Sequence, residues 1–419
     1  MMMCYDLLNL QKARMQLISM QNKKIFSSNI TINGFSFNRI TDKESVFFAK
    51  NEINCDCIKE KLNEKQLEAV YDFFEIDDFC NIDLQNLEFE ISRYLSKNAS
   101  IIDFFLNIKA DMKKNCIFNL DVPMMKKNTA FFLAEMNVLL SFPNRPLFIK
   151  QEFRLDIRED IVQQVVNRLN HLIKQYEPFF EIPVMKLGGD IFDLILPAGK
   201  GGILIHETLG HALEADLFFS GKNILEYKMG QKIFNSDIFI FDESFHDLSL
   251  GICSDDGVIK QRVSLIENGS IVGLLTDSKS SLRYGLKNTG NGRQESYRHP
   301  VLPRMCNTFL GCGRYKKDEI IDTTKNGVYA LDIGGGHVDI STGEFVFNIF
   351  AGMYIKNGKP HAITNPFLFR GNIFDVFNQI DMIGEDLDFQ FGTCIKKGQM
   401  VPVSYGQPTI RITGQLLGE

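Results

Sequence analysis

The C-terminal half of this 419-residue chain consists of short apolar runs that alternate with polar residues and end at glycines. Alternation with a period of two is typical of half-buried β-strands, whereas an amphipathic helix repeats its apolar positions every three or four residues. Two turns are explicit, because Asn268-Gly269 and Asn357-Gly358 each separate two such runs. Asn-Gly is typical of two-residue hairpin turns. From about residue 230 onwards we therefore expect a mostly β, barrel-like structure.

The N-terminal part of the chain has several segments whose apolar residues recur at helical spacing. Residues 158–176 are the clearest of these, because acidic residues stand at the start of the pattern. The other segments predicted as helices are 1–24, 62–76 and 130–141. The segments predicted as strands are a hairpin over 30–53 and a strand over 143–157. Residues 86–112 carry both kinds of signal.

Together these patterns predict an α+β fold with two domains. Residues 1–178 are expected to form an N-terminal α/β domain, and residues 179–419 a mostly β, barrel-like domain that carries one functional helix. The helix is expected over 203–217, directly after a short buried strand bounded by glycines. This helix is the segment in which chemistry-bearing residues concentrate.

Composition excludes several classes of function. The net charge is −6 and no long basic run occurs, which argues against a nucleic-acid binder. No run of eighteen apolar residues occurs, so we expect no membrane span. Nine cysteines without a CxxC pair predict a reducing, cytoplasmic location rather than a disulfide framework. Cys55 and Cys57 form a C-x-C pair, which is a weak metal-binding signal.

The functional helix contains the sequence HETLGH, with histidines at 206 and 211. In the common zinc motif HExxH the two histidines lie four residues apart, about 40° around a helix, whereas five residues correspond to roughly 140°. A π-bulge at this point would return His206 and His211 to one face, and such bulges concentrate at functional sites. Gly210 suits a bulge or a break because glycine tolerates unusual dihedrals. The local pattern alone leaves a metal site and two unrelated histidines equally open.

Carboxylates accompany the two histidines. Glu207 stands beside the first histidine in an apolar segment, where a general base for a metal-activated water is a better reading than a solvated surface group. Glu214 and Asp216 follow within two turns. Either could be a third ligand, an acceptor for an imidazole N–H, or a member of a helix-end salt bridge. Composition does not select a distant ligand: Cys394 is one of nine cysteines, and an inert buried thiol is the default.

Several blocks, taken in order, resemble one known family. HETLGHALEAD resembles the HExxxH segment of the TldD/PmbA metallopeptidases, and of the TldD-type subunit in particular. Further blocks resemble the C-terminal part of the same family, in the same order along the chain. These blocks are NTGNGRQESY (288–297), PRMCNTF (303–309), GGGHVDISTGEFVF (334–347) and CIKKGQMVPVSYGQPTIRI (394–412). Together they cover most of residues 185–419.

The resemblance implies a zinc-dependent peptidase. It implies that His206, His211 and Cys394 bind Zn²⁺ and that Glu207 is the catalytic glutamate. It also implies a peptide substrate, small or unfolded, and a TldE/PmbA-like partner subunit in a heterodimer, with a homodimer as the other assembly. Compared with the family pattern, the N-terminal domain is expected to be shortened at its start. Neither nucleic acid nor a membrane is expected as a partner.

Two questions stay open at this level. A peptidase needs a donor for the developing oxyanion, and Arg293, Tyr297 or nearby His299 could serve, or could instead pair structurally. The glycines of GGGHVDISTGEF could pair with an extended peptide by strand addition or could permit tight packing, and His337 there is a weaker metal candidate. The alternative function is a non-hydrolytic peptide- or partner-binding subunit with a structural metal.

Overall fold

The structure is a computed structural model. It describes residues 4–21, 24–41, 45–51, 66, 74, 82–119, 122–141, 146–156, 158–179, 181–235, 237–244 and 254–418. Cys55 and Cys57 lie outside these ranges, as does the helix predicted over 62–76 apart from residues 66 and 74. Among the described helices, none is long and apolar enough to cross a membrane.

An antiparallel sheet of six strands forms the N-terminal part, in the order β3-β2-β1-β4-β5-β6. Its strands are β1 (Cys4–Gln21), β2 (Lys24–Thr41), β3 (Ser45–Lys50), β4 (Ile101–Asn119), β5 (Val122–Leu140) and β6 (Leu147–Arg154). Two helices share a core with this sheet, namely α1 (Leu84–Lys97) and α2 (Ile161–Tyr176). The segment with mixed signals is thus a helix followed by a strand.

Several predictions for this region are confirmed. Helix α2 begins where the acidic start predicts, and the Asp160 side chain accepts hydrogen bonds from the N–H groups of Val162 and Gln163. The hairpin predicted over 30–53 corresponds to the antiparallel pairing of β2 with β3. Strand β6 lies within the predicted 143–157 segment.

Two helix predictions are wrong: the described residues of 1–24 lie in β1 and at the start of β2, and 130–140 lies in β5. Strands β1 and β5 lie inside the sheet; β5 is covered on both faces, and β1 is buried on both faces over residues 7–11. In β5, Phe132 and Ala134 pack towards the helices, whereas Phe131 and Leu133 pack against Phe391 on the opposite face. A strand that is apolar on both faces lacks period-two alternation, so its sequence resembles a buried helix.

The C-terminal part is mostly β, and pairing between its strands closes a barrel. Its strands are β7 (Val184–Met185), β8 (Asp190–Leu196), β9 (Ile240–Asp242), β10 (Val263–Glu267), β11 (Ser270–Ile271), β12 (Gly292–Arg293), β13 (Leu302–Pro303), β14 (Asn307–Leu310), β15 (Asn326–Asp339), β16 (Glu344–Lys356), β17 (Lys359–Thr364), β18 (Phe367–Asn372), β19 (Ile380–Ile383), β20 (Asp388–Lys396), β21 (Gln399–Gln407) and β22 (Ile410–Gly418). The order β15-β8-β22-β18-β16 closes on itself because β16 also pairs with β15. The expected α+β class with a barrel-like second part is confirmed.

Short helices connect these strands. They are α3 (Gly202–Ile205), α4 (Ala215–Phe218), α5 (Ser278–Tyr284), α6 (Lys317–Asp322) and α7 (Ile373–Asn378). Both predicted Asn-Gly turns are confirmed. Asn268 and Gly269 have φ values of 50° and 76°, and Asn357 and Gly358 have 51° and 74°. Two consecutive positive φ values are what a type I′ hairpin turn requires.

A second sheet places one of its edges beside the N-terminal sheet. Its order is β11-β10-β9-β14-β21-β20, so β20 is an edge strand of this sheet. It lies beside β6, which is an edge strand of the N-terminal sheet. One apolar cluster includes Leu169 of α2 together with Leu331 of β15 and Ala351 of β16. The domain boundary near residue 178 stays a prediction. The junction of β6, β15 and β20 is where the candidate site lies.

Candidate metal centre

The predicted distortion of the functional helix is confirmed. Helix α3 continues into a π-helical turn over His206–Gly210 and then a 3₁₀ turn over His211–Leu213. The N–H of His211 donates to the carbonyl oxygen of His206, which is the i to i+5 bond of a π-bulge. The extra residue is thereby absorbed, and the two imidazole centroids lie 5.2 Å apart.

Gly210 is needed for space rather than for an unusual backbone conformation. Its φ and ψ are −55° and −55°, which any residue adopts in a helix. A Cβ at this position would lie 2.0 Å from the sulfur of Met305, which is fully buried. The expectation that Gly210 supplies unusual dihedrals is therefore wrong, and close packing against Met305 is the physical reason for the glycine.

Cys394 joins the two histidines from strand β20. Its sulfur lies 3.3 Å from Nε2 of His211. One potential ligand atom from each of His206, His211 and Cys394 falls in a group whose members lie within 4.8 Å of one another. His206 is 1% exposed and Cys394 5% exposed, so the cluster is largely withdrawn from solvent. Nδ1 of His206 is buried and has no hydrogen-bond partner among the described residues.

The cluster favours an ionised thiol. Burial alone would raise the pKa of Cys394, but His206 and His211 outweigh it and lower that pKa to about 4. Conversely, burial opposes charge on His211, whereas Glu214 and Cys394 raise the pKa of His211 well above its ordinary value. A thiolate beside two imidazoles has the chemistry of a metal ligand set, because the thiolate rather than the thiol binds metal.

Glu214 supports the cluster from behind. The chain is extended at this residue, which ends the 3₁₀ turn and directs the side chain back towards His211. Its Oε2 lies 2.9 Å from Nδ1 of His211 and accepts a hydrogen bond of 2.9 Å from Lys396. Burial would raise the pKa of Glu214, but Lys396 and His211 lower it to about 2. Of the three roles that the sequence left open for Glu214, the structure shows two: it accepts from the imidazole of His211 and forms an ion pair with Lys396.

Asp216 also forms an ion pair with Lys396. Its Oδ1 accepts a hydrogen bond of 2.6 Å from Lys396, which also donates to the carbonyl oxygen of Pro303. Its other oxygen accepts from Lys397 on the surface. Asp216 is thus part of an ion pair and not of the three-residue cluster.

Glu207 lies at a cavity of about 280 Å³ that also borders His206. The cavity is formed where β6, β15 and β20 meet. Its charged lining residues are Lys150, Glu152, Lys200, Glu207 and Asp332. Gly335 also borders the cavity, and a Cβ there would meet nothing within 4 Å, whereas Gly334 is packed against Phe350. Gly335 is therefore compatible with pairing to an extended peptide, whereas Gly334 permits tight packing.

The structure does not bring the other sequence candidates to this cavity. Arg293 donates to the carbonyl oxygens of Met305 and Pro402, at 2.7 Å and 2.6 Å. Tyr297 is fully buried, and its hydroxyl lies within hydrogen-bond distance of two acceptors in the N-terminal part, Oδ1 of Asn51 at 2.7 Å and the carbonyl oxygen of Asn33 at 3.0 Å. Neither is among the residues that line the cavity. A substrate-binding role for either stays a prediction.

The two remaining histidine candidates also lie apart from the cluster. Nδ1 of His299 is within hydrogen-bond distance of the Ser296 hydroxyl, at 3.1 Å. His337 is exposed on β15. Among the described residues neither joins the group of potential metal ligands.

Sequence reasoning missed Tyr405, which lines the cavity together with His206 and Glu207. Its ring centroid lies 5.6 Å from that of His206. Burial raises the pKa of the Tyr405 phenol, so the hydroxyl keeps its proton. A signal was available: Tyr405 stands in the same sequence block as Cys394, and alternation along β21 predicts which residues share a face.

Comparison with known proteins identifies the family. Residues 189–418 match the model of the PmbA/TldA metallopeptidase C-terminal domain. The chain belongs to the PmbA/TldD metallopeptidase family. The matched region contains the π-helical turn, strand β20 and the whole barrel, so the family assignment and the candidate site rest on the same part of the chain.

Relatives with curated descriptions agree with this assignment. A Metalloprotease TldD homolog of Buchnera aphidicola from Acyrthosiphon pisum is 37% identical over 231 residues, which are 54% of this chain and 48% of that protein. A Zinc metalloprotease TldD homolog of Saccharolobus solfataricus is 34% identical over 224 residues, 53% of this chain and 50% of that protein. The matched region spans about half the length of these relatives.

Solved structures share the fold over nearly the whole chain. TldE from Thermococcus kodakarensis superposes with a TM-score of 0.72 and 16% identity, covering 99% of this chain and 97% of that one. At this identity the likeness concerns the fold alone. It includes the N-terminal part, which the family match at 189–418 does not reach.

Proposed function

We propose that this chain is a zinc-dependent peptidase of TldD type. The observation that carries the proposal is the group of His206, His211 and Cys394, whose potential ligand atoms lie within 4.8 Å, beside a cavity lined by Glu207. Two imidazoles and a thiolate are donors that zinc prefers. The buried, unpartnered Nδ1 of His206 is also consistent with a group that is to be bound there.

Zinc, when bound, would acidify a water molecule and polarise the scissile carbonyl. In this mechanism Glu207 is the residue that transfers the proton. Its carboxylate accepts a proton from the attacking water and later donates it to the leaving amine nitrogen as the C–N bond breaks. Glu214 accepts the Nδ1–H of His211, which fixes the imidazole orientation.

The size of the cavity supports small or unfolded peptides as substrates. A volume of about 280 Å³ admits a short extended segment but no folded domain. Charges of both signs line it, because Lys150 and Lys200 are basic whereas Glu152, Glu207 and Asp332 are acidic. Two edge strands, β6 and β20, contribute to its lining, and an extended peptide can pair with the edge of a sheet.

The alternative, a non-hydrolytic subunit with a structural metal, requires a fourth protein ligand. Glu214 was the nearest sequence candidate, but its Oε2 is engaged with His211 and Lys396. Among the described residues the potential ligand group has three members. Three protein ligands with an adjacent cavity favour the catalytic reading.

We further propose a cytoplasmic heterodimer with a TldE/PmbA-like subunit. The support is the family membership and the shared fold of the archaeal TldE. Co-expression of this chain with the PmbA-like protein of the same genome, followed by size-exclusion chromatography with light scattering, tests this assembly. A single peak with the mass of one copy of each supports the heterodimer, whereas a homodimer alone contradicts it.

Substitution of Glu207→Gln in the purified full chain tests the function. Hydrolysis of an unstructured fluorogenic peptide should fall by about 10²- to 10⁴-fold, the range of a general acid–base contribution, while zinc stays at about one per chain. Glu344→Gln, at an exposed strand end, serves as the control. Loss of zinc in Glu207→Gln would make Glu207 a ligand or structural residue. Absence of peptide hydrolysis by the wild-type chain in the presence of its partner would contradict the proposed function.

A further inference from the structure

The pairing of β20 with β21 places Tyr405 on the same face as Cys394. Directly paired residues of an antiparallel hairpin point to the same side, and every second residue along a strand repeats that side. Cys394 pairs with Val401, Gly392 with Val403 and Gln390 with Tyr405. These six residues therefore form one face, and it is turned towards the π-helical turn of His206–Gly210.

Glycine at 392 leaves room for the Tyr405 side chain on this face. A Cβ at Gly392 would lie 3.5 Å from the Tyr405 hydroxyl and 3.4 Å from its Cε1. The phenol thus extends from its own position over Gly392, in the direction of Cys394 along β20. The ring centroid lies 5.6 Å from that of His206, and Tyr405, Gly392 and Glu207 all line one cavity. The position of the hydroxyl beside Gly392 therefore puts it next to this cavity.

We propose that Tyr405 is a catalytic residue whose hydroxyl donates a hydrogen bond to the oxyanion formed during peptide hydrolysis. This inference rests on the proposed function. As the water oxygen bonds to the carbonyl carbon, the C=O π bond opens and negative charge gathers on the carbonyl oxygen. Glu207 takes the water proton, and Tyr405 keeps its own while its O–H points to the charged oxygen. A donor placed in advance stabilises the transition state more than the ground state.

Other donors considered for this role are engaged elsewhere. The guanidinium of Arg293 binds two backbone carbonyls, and the hydroxyl of Tyr297 binds Asn33 and Asn51. Unlike these two, Lys200 also lines the cavity, where one of its three N–H groups donates to the carbonyl oxygen of Leu331. Within the described part of the chain the Tyr405 hydroxyl makes no hydrogen bond, although Oε2 of Glu152 borders the same space, 3.2 Å from a Cβ placed at Gly392.

The test compares Tyr405→Phe with the wild-type chain, both loaded with zinc. Phenylalanine keeps the ring that packs against His206 and removes only the hydroxyl, so zinc content should not change. We expect kcat to fall about 10²-fold, the loss typical of one oxyanion donor, with KM unchanged. Tyr227→Phe is the control, because Tyr227 is 85% exposed and does not line the cavity.

A binding measurement separates this role from a structural one. A phosphinic peptide, with a tetrahedral phosphinate in place of the scissile amide, imitates the charged oxygen, and its affinity can be measured by titration calorimetry. Tyr405→Phe should weaken this ligand by the same factor as kcat, while leaving the affinity for an uncleaved product peptide unchanged. Wild-type kcat and wild-type phosphinic-peptide affinity in Tyr405→Phe would overturn the inference, and so would loss of zinc. Both measurements start from a wild-type chain that hydrolyses peptides. If the wild type is inactive, the proposed function fails; if only Tyr405→Phe behaves like the wild type, the role of Tyr405 alone fails.

Discussion

Nδ1 of His211 lies 2.9 Å from a carboxylate oxygen of Glu214, three residues further along the chain. The contact exists because the helix ends at Glu214, where the backbone becomes extended. Glu214 is fully buried, and its other contact is the ammonium of Lys396. The imidazole is therefore held in one orientation, with Nε2 directed towards Cys394.

Substitution of Glu214→Gln should weaken zinc binding without abolishing it. The amide keeps the size of the side chain but removes the charge that orients His211 and neutralises Lys396. Loss of such a supporting acceptor typically lowers metal affinity about 10- to 100-fold. Competition with a chelator of known affinity measures the change, and Glu267→Gln at the exposed end of β10 is the matched control. Unchanged affinity in Glu214→Gln would show that the contact does not support the site.

Lys396 and Lys397 offer a comparison of buried and exposed ion pairs around one carboxylate. The Lys396 side chain is 5% exposed and contacts both Glu214 and Asp216, whereas Lys397 is 58% exposed and contacts Asp216 alone. Lys396→Met leaves two carboxylates without their buried partner and should cost roughly 3–5 kcal/mol in the free energy of unfolding. Lys397→Met should cost less than about 1 kcal/mol. Urea unfolding measures both, and equal losses would contradict the assigned burial.

The metal-free chain should keep the Cys394 thiolate in mildly acidic solution. Burial opposes ionisation, but His206 and His211 lower the pKa of Cys394 to about 4, against an ordinary value of 9.0. Because the folded value is the lower one, the stabilisation from this ionisation is complete above pH 9.0, declines below it and is gone below about pH 4. Thiolate ultraviolet absorbance, as the difference between wild type and Cys394→Ser, should therefore persist from neutral pH until close to pH 4.

Cys116 provides an internal contrast for that titration. Burial raises the pKa of Cys116 to about 12, so it stays a thiol over the same range. Cys116→Ser should leave the difference spectrum unchanged. A Cys394 signal that disappears near pH 9 would mean that the histidines do not stabilise the thiolate.

Local chemistry was sufficient to predict some elements. The two Asn-Gly turns and the capped helix α2 follow from residues that stand next to each other in sequence. The π-bulge was one of the alternatives that the five-residue spacing of HETLGH left open, together with a break in the helix. By contrast, β1 and β5 were taken for helices because β5 and residues 7–11 of β1 are buried on both faces, and such burial is decided by tertiary packing.

The site was predictable only in part, for the same reason. Gly210 owes its identity to Met305, and Glu214 owes its role to Lys396, contacts that span long stretches of chain. Tyr405 reaches the cavity through the register of β20 with β21, which the turn at Lys397-Gly398 sets, but the docking of this hairpin against the π-helical turn is a tertiary contact. The place of Cys394 came from resemblance rather than composition, and the geometry then put its sulfur beside His211.

Metal analysis of the purified chain before and after Cys394→Ala tests the central claim most directly. The account predicts about one zinc per wild-type chain and loss of stoichiometric zinc in the variant, because two imidazoles alone bind the ion weakly. Cys116→Ala, a buried thiol in the N-terminal sheet, should keep its zinc, and circular dichroism should show both variants folded. Stoichiometric zinc retained in folded Cys394→Ala would contradict the three-ligand site.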